Sequence, residues 1–255
     1  MYLWKCWRDS RNRLALYSLA CLAVGIAGGI GALAWTREMA YWEALHLKWY
    51  RPDPDPFRWI WLVTLGDIQD YMNIAVVWAG MTLGATSVGR EYSSGAMAFL
   101  LTRPTQRRRF VWTDWGLGMA EIFVMLSMFI LGAVPFLIYV SKSFRSSPGV
   151  LLLIMVVVAA VLYSLTHFTT IATGSSMKGL SLSAAVVLFY ILFPTAMNEW
   201  WHVDSLLKAQ QWTFQVFDWA YGGEVHPHWG IMALWAAVAI IFPTLSQLWL
   251  ERREV

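Results

Sequence analysis

Charge is what this sequence has least of: only 14% of its 255 residues are Asp, Glu, Lys or Arg, and 58% are hydrophobic. Ordinary water-soluble domains carry about 25% charged residues. So little charge cannot coat a water-facing surface of this size, and a soluble enzyme is excluded. The net charge of +3 is too small for an electrostatic footprint on nucleic acid, so no nucleic-acid partner is expected. Cysteine is equally sparse. Cys6 lies in a basic leader and Cys21 inside the first apolar run, depths too different for a disulfide, and no cysteine-rich zinc site can be assembled. A phosphate-binding loop is also missing. The run 174–181, Gly-Ser-Ser-Met-Lys-Gly-Leu-Ser, has Leu180 where the essential lysine would stand, and no strand precedes it. It reads as a turn between two apolar segments, so the chain has no nucleotide site of its own. No nucleophile–base constellation or metalloprotease motif occurs, and no catalytic residue is assigned. His202, His226 and His228 share one segment with Glu199, Asp204 and Glu224. Nothing in their spacing fixes a third ligand, so no metal is assigned.

What is present is long apolar sequence. Runs bounded by charge or turn residues cover 14–35, 71–88, 117–140, 150–173, 180–197 and 231–250. A bilayer core about 30 Å thick takes about 20 residues of helix, and lipid offers no partners to backbone N–H and C=O groups. The pattern therefore predicts an all-α integral membrane protein with six transmembrane helices forming a single domain over 1–255. Of the nineteen Lys and Arg, twelve fall in the segments that share a side with the N-terminus and seven in the opposite ones. Positive segments stay on the cytoplasmic side, which places both termini in the cytoplasm and the protein in the cytoplasmic (inner) membrane. Only Trp78 and Trp235 of the seventeen tryptophans fall well inside a run, as expected of aromatic belts at the headgroups. Residues 1–13 read as a retained, amphipathic interfacial helix. The outer segments are 36–70, where Pro52, Pro54 and Pro56 favour an extended stretch, and 198–230. Within the latter, 203–221 has helix-forming, apolar character suited to the outer membrane face.

Between the second and third runs lies a cytoplasmic excursion, 89–110. Ser93 or Ser94 caps a short amphipathic helix, Ala96, Phe99, Leu100 and Leu101 supply its apolar face, and Arg103-Pro104 ends it before Arg107, Arg108 and Arg109 meet the headgroups. Here the chain resembles the permease subunits of ATP-binding cassette transporters of the second type (ABC-2), on Glu91, Gly95, Leu100, Leu101, Pro104 and Arg107 to Arg109. The likeness extends to the basic leader, the six-span layout and the long outer segment before the last span. It departs at Asp114, where such permeases often carry Lys. The resemblance implies that Glu91, Gly95, Leu100, Leu101, Arg103, Pro104 and Arg107 to Arg109 couple the spans to a cytoplasmic ATPase, two copies per complex. It further implies ATP and Mg on that partner, no cofactor on this chain, a second permease copy or paralogue, surrounding membrane lipid and an exporter's direction of transport.

Other features have their own chemistry. Gly25 and Gly29, and Gly80 and Gly84, lie four apart on single helix faces and allow close helix approach, within the subunit or at a homodimer seam. Asn73, Thr82 and Thr86 form a polar stripe that would line a translocation path or bond to its own backbone. Glu121 and His167 are ionisable groups inside spans, where a charge costs about 2.5–3.5 kcal/mol on insertion scales, so each calls for a partner. Paired together they make either a structural hydrogen bond or the relay of a proton-coupled secondary transporter, the rival to an ATP-driven permease. A membrane subunit with no transport role is the third reading.

Overall fold

The computed structural model describes residues 2–44, 56–93, 104–140, 148–201, 205, 208, 217–219 and 225–252. Its helices are α1 (Tyr2–Ala44), α2 (Pro56–Ser93), α3 (Pro104–Val140), α4 (Pro148–Thr173), α5 (Ser176–Trp201) and α6 (Trp229–Arg252). Six windows are long and apolar enough to cross a membrane: Arg11–Gly31, Tyr71–Gly89, Arg108–Phe136, Pro148–Thr173, Ser176–Glu199 and Trp229–Arg252. The expectation of a six-span helical membrane protein is met at this level.

The helices run further than hydropathy alone sets out. α1 has 43 residues, roughly 65 Å of helix, and its leader continues into the span without a break instead of forming a separate interfacial helix. Hydropathy ends where lipid ends, but a hydrogen-bonded ladder continues until a breaker stops it. The segment expected as a link over 36–70 is correspondingly shorter, since 36–44 belong to α1 and 56–70 to α2. Pro56 opens α2 and Pro104 opens α3. Proline at a first helical position removes only an N–H that would be unpaired there. Pro104 therefore begins a helix where the sequence pattern had it end one, and Ser93, one of the two expected caps, is the last described residue of α2. The apolar stretch around Leu100, with Gly95, Leu101 and Arg103, lies outside the described residues, as do Pro52 and Pro54. Between α5 and α6 a two-stranded antiparallel hairpin pairs β1 (Phe217–Trp219) with β2 (Val225–Pro227), Asp218 opposite His226. This short hairpin is the departure from an otherwise helical fold, and within 203–221 it replaces helix at 217–219, while the described Ser205 and Lys208 are helical. Strand pairing satisfies the backbone around Pro227, which cannot serve as an interior helix donor.

α1 packs most extensively on α3, α2 on α4, and α4 also on α6 and α5. α4 is thus the central helix, with Leu151, Ile154, Met155, Ala159 and Tyr163 in the main core. The glycine pairs make these contacts possible. A side chain at Gly25 would strike the Phe129 carbonyl and one at Gly29 the Phe136 ring, both on α3. Gly80 and Gly84 face Ala159 and Tyr163 on α4 in the same way. Both small-residue faces are occupied within the subunit. α4 ends at Gly174, whose φ of 66° suits glycine alone at low strain, and its N–H bonds back to the Thr170 carbonyl at 2.9 Å. α5 starts two residues later, so the turn expected over 174–181 is only Gly174 and Ser175, and 176–181 are the first turns of α5.

A buried ionic cluster at one end of the bundle

Polar side chains gather where the N-terminal parts of α1, α3 and α5 meet the C-terminal parts of α2, α4 and α6. Arg13 of α1 is the first. Its Nη2 donates to Glu121 Oε2 of α3 at 2.8 Å, and its Nη1 donates to Thr86 Oγ1 of α2 at 2.9 Å. Thr86 in turn donates to the Thr82 carbonyl at 2.7 Å, and Thr82 donates to the Trp78 carbonyl. The hydroxyl stripe of α2 is therefore bonded to its own helix, with Thr86 also accepting from Arg13. Asn73 is exposed and stands apart.

The second pair is His167 Nε2 with Asp114 Oδ2 at 3.2 Å, joining α4 to α3. Glu121 and His167, expected as each other's partner, thus each have a different charged partner. The residue spacing explains it. Asp114 and Glu121 are seven apart and share a face of α3, while Tyr163 and His167 are four apart on α4. Tyr163 fills the space between: it is fully buried, its hydroxyl donates to the Asp114 carbonyl at 3.2 Å, and its ring lies 5.7 Å from that of His167. Gly118 leaves room for that hydroxyl.

Depth follows from the same contacts. Arg13 lies at the first turn of its apolar window, whereas Glu121 lies well into the 29-residue window of α3. Twenty-nine residues span roughly 43 Å, more than the hydrocarbon core of about 30 Å, so the start of α3 projects beyond it. Glu121 is consequently held near the boundary, where a paired carboxylate is far cheaper than at the bilayer centre. Around the ions runs a shell of hydroxyl bonds. Trp115 Nε1 donates to Ser164 Oγ at 2.8 Å, Thr166 Oγ1 to Ser183 Oγ at 3.0 Å, and Trp112 Nε1 to Gln247 Oε1 at 3.0 Å, tying α3 to α4, α4 to α5 and α3 to α6. Ser183 also donates to carbonyls of its own helix, so it keeps a partner if Thr166 is lost. Thr166→Val is expected to lower stability by only about 0.6 kcal/mol, within the range up to about 1.7 kcal/mol known for interhelical hydrogen bonds. Denaturant titration in bicelles measures it.

Arg13 and Asp114 were the partners that the sequence pattern did not single out. Both lie outside the apolar runs 14–35 and 117–140 and so counted as flanking charges; the spacing of Asp114 from Glu121 was the available signal. Arg108 and Arg109 are exposed at this end of the bundle, together with Arg11, Lys178 and Arg252, and Arg107 lies in the first turns of α3. Glu91 is partly buried near the end of α2. His202, Asp204 and Glu224 lie outside the described residues, and among the described residues no three of His, Cys, Asp and Glu converge as metal ligands.

Six apolar helices closed around a buried ionic cluster define a multi-pass helical membrane protein. Neither a protein-family model nor a curated protein sequence matches the chain.

Proposed function

We propose that the chain is the permease subunit of an ABC-2-type transporter, exporting a substrate across the cytoplasmic membrane with ATP hydrolysed, on Mg, by a separate subunit. The observation that supports this reading is the segment 91–109 and its suspension. α2 runs on to Ser93 past its apolar window, and α3 starts at Pro104 ahead of its own. Glu91 and the basic run Arg107 to Arg109 therefore sit on helical stalks continuous with two spans. Those stalks share a small apolar cluster of Val88, Phe110, Val111, Ile171 and Leu250, with Tyr92 packed against it. The Tyr92 hydroxyl donates to the Ile171 carbonyl at 3.0 Å. A push on 94–103 reaches α4 and α6 through this cluster as well as α2 and α3 directly. In this reading Gly95, Leu100, Leu101 and Arg103 contact the ATPase, and a second permease copy completes the translocation path.

The test is co-purification. An ATPase subunit is expected to be recovered with the chain in mild detergent, and Leu100→Ala with Leu101→Ala to weaken that association about tenfold or more, since truncating an anchor side chain costs about 2 kcal/mol. Insertion should be unchanged. Recovery of no ATPase, together with ATP-independent transport by the isolated chain, overturns the proposal. A proton-driven secondary transporter is the reading that the buried His167–Asp114 contact favours, replacing the Glu121–His167 relay expected from sequence. It requires that His167→Gln abolish ATP-independent uptake.

A further inference from the structure

Within the apolar packing of Leu14, Tyr17 and Cys21, α1 makes two contacts of a different kind with α3. The first is backbone against backbone. A Cβ on Gly25 would collide with the Phe129 carbonyl oxygen, and one on Gly132 would lie 2.7 Å from the Leu22 carbonyl oxygen and 3.0 Å from the Ile26 nitrogen. No side chain intervenes that could yield, so this crossing has one geometry. The second is the Arg13 fork on Glu121 and Thr86, at 2.8 and 2.9 Å. Twelve residues separate Arg13 from Gly25, about 18 Å of helix.

We propose that Arg13 is a latch: it holds the N-terminal arm of α1 against α2 and α3, and when it releases, the arm swings about the Gly25–Gly132 crossing. Three observations carry this. Along 11–16 the arm is held from one side only, because Arg11, Asn12, Ala15 and Leu16 are exposed on the other. The surface beneath it includes polar atoms that are not fully bonded: Ser18 Oγ and Arg13 Nε are buried without a hydrogen-bond partner among the described residues. The closed arrangement therefore leaves donors and acceptors that an opened one would hydrate. Finally, the fork lies at the edge of the apolar window, where a released guanidinium can extend to water or headgroups along its aliphatic stem. Both states solvate the charges, and opening also lifts the packing of Leu14 and of Tyr17 against Trp78. The latch belongs to the bundle and does not rest on the ATP-driven reading.

Paired spin labels on the isolated full chain in nanodiscs test it, in a Cys6→Ser, Cys21→Ala background. One pair, at exposed Leu16 and Phe123, reports the latch; the other, at exposed Ile26 and Leu131, reports the pivot. Arg13→Gln is expected to add a component longer by about 5 Å to the Leu16–Phe123 distance, as a rotation of about 20° on the lever of about 14 Å from Gly25 to Leu16 would give, with the Ile26–Leu131 distance unchanged. Arg13→Lys, which keeps the charge and loses the fork, should populate the longer component less. Arg13→Glu combined with Glu121→Arg should restore the short distance. The proposal is overturned if Arg13→Gln leaves both distances as in the unsubstituted chain, if it broadens both together, or if the charge swap restores nothing. Should Arg13→Gln not accumulate in membranes, Arg13→Lys decides by the same criteria.

Discussion

Gly84→Leu is expected to unseat α2 from α4 and to leave little folded protein. A Cβ at this position would lie 2.7 Å from the Tyr163 carbonyl oxygen, 2.8 Å from Thr166 Cβ and 3.1 Å from the His167 nitrogen. The first and last obstacles are backbone, so relief requires moving a whole helix. Overpacking a core typically costs about 1–3 kcal/mol where side chains can shift, and a leucine here should reach at least the top of that range. Gly80 meets the Ala159 carbonyl at 2.8 Å one turn away, so α2 cannot escape by tilting about its neighbour. The displaced face of α4 carries Tyr163 and His167, and the contacts to Asp114 would be lost with it. Equilibrium unfolding in bicelles measures the effect, with Gly116→Ala as the control. Nothing lies within 4 Å of a Cβ at exposed Gly116, where alanine should stabilise the helix by roughly 0.5–1 kcal/mol. A Gly84→Leu protein as stable as the unsubstituted chain would refute the α2–α4 packing.

Single replacement of either member of the Arg13–Glu121 pair is expected to be far more damaging than replacement of both. Their side chains are 13% and 3% exposed, and a buried charge that loses its counterion costs about 3–5 kcal/mol, whereas an apolar pair of similar volume is often neutral or stabilising. Arg13→Leu and Glu121→Leu should each approach that loss, and the double substitution should recover most of it. The same unfolding titration gives all four corners of the cycle. Additive losses would mean that the two residues act independently, contrary to the 2.8 Å contact.

These expectations differ in how far the residues alone foretold them. The glycine spacings at 25 and 29 and at 80 and 84 marked small helix faces, because periodicity is a local property. Which helix each face meets is not local, and the structure turns one pair to α3 and the other to α4. The stripe of Thr82 and Thr86 was legible as polar, and bonding to its own backbone was one of the two readings the sequence offered; that Arg13 arrives at Thr86 required the neighbouring helix. Pro104 shows a different reason for a miss. A proline marks a helix boundary in either direction, and only the ladder that follows it tells that this one begins α3.

Membrane residence and the number of spans were already written in composition. Six apolar windows of sufficient length follow residue by residue from the cost of exposing peptide groups to lipid, whatever the packing. The partners of the charges were not. Arg13 and Glu121 are 108 residues apart in the chain, and each was readable by itself, one as a flanking cation and the other as a carboxylate in need of a counterion. Their pairing depends on how far α3 projects past the bilayer and how α1 and α3 are rotated at the Gly25 crossing. Those are properties of packed helices, and the tertiary structure alone decided them.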